Sequence, residues 1–145
     1  MDLKKLFRQN SVTSTNKSPY ENLTWRQKLA AMNLMVVFGG ACSGAPQDIS
    51  KINHIMTVEG RDMGISGEQM RSASFADMRE MVDALKGANR LALEKLLWPF
   101  YCIICLSRSL EAVQVLINIY AELGFTAQEC SDILERKAGR KVIGI

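Results

Sequence analysis

Apolar residues recur at helical intervals through most of the chain, and local signals mark where each run begins and ends. Thr24 and Gln27 have capping-box spacing ahead of Leu29, Met32, Met35 and Val36, and Gly39-Gly40 supply a stop, so a helix is expected over about 22–38. From Pro46, suited to a first helical position, Ile49, Ile52, Ile55, Met56 and Glu59 keep the interval as far as Asp62, and Gly64 ends the run. Ser66 and Gln69 repeat the capping-box pattern and open a short helix to about Ala73. Ser74 and Asp77 start another to Lys86, with Phe75, Met78, Met81, Val82 and Leu85 on its buried face and Gly87 closing it. Over about 89–106, Leu93, Leu96, Leu97, Phe100, Ile103 and Ile104 predict a central helix, apolar nearly all round beyond Leu96 and kinked at Pro99. Two further helices, about 109–123 and 126–138, complete the pattern at Gly139. Only 141–145 alternates with period two, and it has no partner strand. The expected fold class is all-α, a single-domain bundle of about six to eight helices.

One pattern occurs twice. Met63-Gly64-Ile65-Ser66-Gly67-Glu68-Gln69 and Leu123-Gly124-Phe125-Thr126-Ala127-Gln128-Glu129 match in kind, sixty positions apart, except in the order of the last pair. Each reads as a helix ending on a glycine, an apolar residue stapling the corner and a hydroxyl capping the next helix. The echo suggests a pseudo-repeat of two helical halves. Ahead of them, residues 1–19 form an amphipathic start, with Leu3, Leu6 and Phe7 opposite lysines, and a linker rich in Ser, Thr and Asn. The helical domain is expected over 20–139, with 140–145 as a tail.

Composition adds limits. At 145 residues, 48% hydrophobic and 23% charged, the chain has the size of one domain and too much apolar content for a disordered one. The net charge of +3 does not imply nucleic acid, and no nucleic-acid partner is expected. The basic excess sits at the ends, in Lys4, Lys5, Arg8 and Lys17 and in Arg136, Lys137, Arg140 and Lys141, which read as solvated tails more than as a binding patch. No apolar stretch follows Lys4 and Lys5, so no secretory signal is expected. The apolar runs 29–41 and 96–106 are shorter than the ~18 to 20 residues of a membrane helix, and a cytoplasmic location is expected.

The chemistry-bearing residues are few. Cys42, Cys102, Cys105 and Cys130 read as free thiols. Cys102 and Cys105 form a Cys-x-x-Cys, which invites a redox or zinc reading. They lie in an apolar run with no cation before Arg108 and no second ligand pair, so reduced core cysteines are expected, at least one of them buried. His54 is the single candidate base and is placed at a surface or boundary. The glycine-rich stretch 39–44 follows a helix and lacks a Gly-Lys-Ser/Thr ending, which favours a turn over a phosphate loop. Glu59, Asp62, Glu122 and Glu129 would form an acidic edge if the halves pack as the echo suggests, and solvated caps are the competing reading. No catalytic, cofactor or metal residue is assigned, and the chain is read as no enzyme.

From Leu91 to Glu135, a long apolar helix, a short turn, Glu111 and then Ile119-Tyr120-Ala121-Glu122-Leu123-Gly124-Phe125-Thr126 follow an order that resembles the TerB-like domain family, named for tellurite-resistance proteins. With 29–69 the resemblance covers roughly two-thirds of the chain. It implies a helical domain and, in the family, acidic turns in both halves linked to divalent metals. Here those turns carry Ser43 and Ser107, and Arg108 adds a positive charge where a cation would sit, so the metal role does not transfer. The expected function is a non-enzymatic protein-interaction or adaptor module, stress or envelope associated. The alternative is a small-molecule or divalent-metal-binding helical domain with a cleft between the halves.

Overall fold

Residues 18–40 and 45–140 are described by a computed structural model. They form a 3-10 turn, Pro19–Asn22, and seven α-helices: α1 Trp25–Gly39, α2 Pro46–Met63, α3 Gly67–Arg71, α4 Met78–Leu85, α5 Arg90–Ser107, α6 Glu111–Glu122 and α7 Ala127–Ala138. No strand occurs among the described residues. The expected amphipathic start, the 41–44 turn and the 141–145 tail lie outside them.

The helix starts follow the hydroxyl signals. Thr24, Ser66 and Thr126 each accept a bond from the backbone N–H three residues on, and Gln27, Gln69 and Glu129 reach back to the cap N–H. These three capping boxes satisfy donors that a helix start leaves free. Both echoed corners have one geometry. Gly64 and Gly124 take φ of 78° and 99°, and the next amides, of Ile65 and Phe125, bond the carbonyls of Gly60 and Tyr120 at 2.8 and 2.9 Å. Only a residue without Cβ enters that left-handed region at no cost.

α5 is the hub, with α1, α2, α6, α7 and the 3-10 turn packed on it, while α4 covers another side of α1. Leu93, Leu96, Leu97, Phe100, Ile103 and Ile104 are all buried, as their spacing predicts. Phe100 meets Phe38 edge to face at 5.5 Å, and fully buried Tyr120 packs on Phe125 while its hydroxyl donates to the Leu93 carbonyl at 2.5 Å.

Four expectations change. Trp25, not Asn22, opens α1, because Ser18 caps a separate turn at 19–22. Asp77, not Ser74, caps α4, accepting from the Glu80 amide. Val36 and Ile49, placed on apolar stripes, are 42% and 43% exposed, since α1 turns the arc of Ala31, Leu34, Met35 and Phe38 inward and α2 buries Ile52. The end of α5 is not covered all round: Trp98, Cys102 and Leu106 are half-buried and Cys105 is exposed.

Candidate functional site: an open trough along the central helix

α2 and α7 both pack on α5 without an extensive contact with each other. The gap leaves one face of α5 as the floor of a trough. Its largest part is an open cavity of about 710 Å³, floored by Trp98, Tyr101, Cys102 and Leu106, with Ile55 and His54 on the α2 wall. Beyond Trp98 the trough continues past Val58 and Pro99 into a smaller depression bordered by Glu59, Glu94 and Lys137. Trp98 stacks at a tilt beside Tyr101, with ring centroids 6.3 Å apart.

The cysteine expectation is corrected here. Neither Cys102 nor Cys105 is in the core; of the three described cysteines the buried one is Cys130, and Cys42 lies outside the described residues. Three positions along α5 bring the two thiols near one face, and that is the face that α2 and α7 leave open. All three are free. Burial pushes the Cys102 thiol up to about 11, with Cys105 and Glu59 adding to the rise and Lys137 opposing it. A thiol held protonated near neutral pH is a poor nucleophile and a poor metal ligand. His54 is exposed and shares the cavity with both cysteines. Among the described residues no group of three or more His, Cys, Asp or Glu could hold a metal ion.

The acidic edge does not assemble. Glu59 accepts a 2.5 Å bond from the Tyr20 hydroxyl, and Asp62 pairs with Lys95. Glu122 takes both guanidinium nitrogens of Arg79, at 2.8 and 3.0 Å, and Glu129 pairs with Arg90. Arg79 and the cap bond from Thr126, respectively, hold the Glu122 and Glu129 carboxyls below their usual range. Buried Asp48 in the first turn of α2 forms an ion pair with Arg108, 3.3 Å away. Arg108 ends α5 at φ 60°. Ser107 is buried and donates to the Ile104 carbonyl at 2.9 Å. Ser43 lies outside the described residues.

Sequence reasoning passed over Trp98, Tyr101 and Lys51. An apolar run shows that a helix is surrounded but not on which side a neighbour is missing. No family model, curated protein or solved structure matches the chain.

Proposed function

We propose that this chain is a non-enzymatic helical module that binds another protein through the trough between α2 and α7. The observation that carries this is a half-buried tryptophan on the floor of an open channel, with α2 along its main cavity and both α2 and α7 beside the smaller depression. Aromatic anchors in such grooves supply most of the binding energy when a partner excludes water from them. Two observations weigh against catalysis: Cys102 is held as a thiol, and the four candidate carboxylates are each taken by a separate partner. The TerB-like resemblance adds a stress- or envelope-associated setting to this reading.

Photo-crosslinking tests it. A photoreactive residue at Val58 in the trough should yield protein adducts in the native source, while the same residue at Val115, exposed on α6, should not. Equal adducts at both positions, or none at Val58, would contradict the reading. The cavity volume favours a second reading, since about 710 Å³ falls within the ~300–1,000 Å³ of ligand pockets. A small apolar molecule retained by the purified protein in native mass spectrometry, and released by Cys105→Trp, would support it over the first.

A further inference from the structure

We infer that the occupant of the trough is an amphipathic helix of another protein with acidic residues along its flanks; this rests on the docking reading above. Shape sets the first requirement. Between Glu94 and Leu106, α5 advances about 18 Å at 1.5 Å per residue, the length of about three helical turns. Two helices already lie on α5 at either side of the gap, so a third fits the same ridges and grooves.

Charge sets the second. Several cations elsewhere on the surface are matched within the chain: Arg26 to Glu80, Arg79 to Glu122 and Asp83, Arg90 to Glu94 and Glu129. Lys51 and Arg140 border the main cavity and Lys137 the smaller depression. Among the described residues no carboxylate forms an ion pair with any of the three. A partner carrying carboxylates at these heights would supply the missing charges, and one carrying cations would be repelled. The same argument disfavours the segments nearest to hand. The chain's own start brings Lys4, Lys5 and Arg8, its tail begins with Lys141, and a second copy docked symmetrically would set like cations against each other. A nucleic acid would satisfy the cations but not the apolar floor of Trp98, Ile55 and Leu106.

The test uses the full chain with Trp25→Phe, which leaves Trp98 as the single tryptophan reporter. Three probes are titrated at low salt: a Leu/Glu amphipathic helical peptide, its Leu/Lys counterpart and an oligothymidylate. The Leu/Glu peptide should shift Trp98 emission to the blue and bind at least about tenfold more tightly than the Leu/Lys peptide. Lys51→Glu with Arg140→Glu, both at exposed positions, should reverse that order, and Cys105→Glu should weaken the Leu/Glu peptide by about tenfold or more. An order unchanged by the charge reversal, tighter binding of the oligothymidylate, or a tenfold gain in peptide affinity on removing residues 141–145 would overturn the inference. Binding of both peptides alike, lost in Cys105→Glu, would overturn the acidic partner but leave the docking reading standing. Failure of the Val58 crosslink while the Leu/Glu peptide binds as stated would do the reverse.

Discussion

Two sides of the helical bundle handle aromatic rings and charges in opposite ways. On the α4 side, Arg26 lies 4.3 Å over the Phe75 ring while pairing with Glu80, and Arg79 grips Glu122 with two nitrogens. Arg90 covers Phe125 and Lys95 covers Tyr20 in the same manner. In the trough, Trp98 carries no such cation among the described residues, and Lys51, Lys137 and Arg140 stand beside it without an ion pair to any of them. Surface that is satisfied within the chain has nothing left to offer a partner. Apolar floor and unmatched charge in one channel are what the proposed partner would cover.

The largest expected effect separates core from trough. Tyr120→Ala removes a fully buried ring and its hydroxyl's bond to the Leu93 carbonyl, and should cost about 3–5 kcal/mol in urea unfolding. Trp98→Ala should cost a fraction of that while abolishing partner crosslinking. Equal losses of stability would make Trp98 a core residue and erase the distinction between the two regions.

Next come the two corners, one ending a trough wall and the other ending α6. A Cβ at Gly64 or Gly124 would meet nothing within 4 Å, so backbone strain alone opposes it. Gly64→Val and Gly124→Val should each lower stability by about 1–2 kcal/mol. Urea midpoints that fall in only one variant would show that the repeated letters do not make a repeated structure.

Alkaline titration should give a smaller effect. Burial raises both the Cys102 and Cys130 thiols from near 9 to about 11. A thiol that ionises less readily in the folded state stabilises it fully below about pH 9, and that contribution is lost as pH rises through about 11. Unfolding midpoints should therefore fall across that window, and fall less in Cys102→Ser. An unchanged profile in the variant would mean that Cys102 is as wet as in the unfolded chain. The smallest effect concerns surface charge. Arg79→Ala should lower the midpoint slightly at low salt and not at high salt, whereas Lys51→Ala should leave it unchanged in both.

Local rules made much of the fold legible. Thr24, Ser66 and Thr126 cap helices where hydroxyl and amide spacing placed them, Pro46 opens α2, and Gly64 and Gly139 end their helices left-handed, because those choices depend on only a few neighbouring residues. Asp77 takes the cap expected of Ser74, its carboxylate accepting from the Glu80 amide, because both residue types cap helices and local spacing alone does not choose between them. The site was far less legible. Cys102, Cys105 and Trp98 lie in a stretch whose composition is that of a core, and only the separation of α2 from α7 leaves them uncovered. The bonds from Tyr20 to Glu59 and from Arg108 to Asp48 join residues 39 and 60 positions apart, beyond any local pattern.

That the α5 face between α2 and α7 is open, and not core, can be measured through the thiols themselves. The native full chain is exposed to a small alkylating reagent near neutral pH and its cysteines are followed by peptide mass spectrometry. Of the three described cysteines, Cys105 should be modified first, Cys102 more slowly because burial holds its proton, and Cys130 only on unfolding. Protection of Cys105 equal to that of Cys130 in the native chain would contradict the account, since it would mean that the trough is already filled.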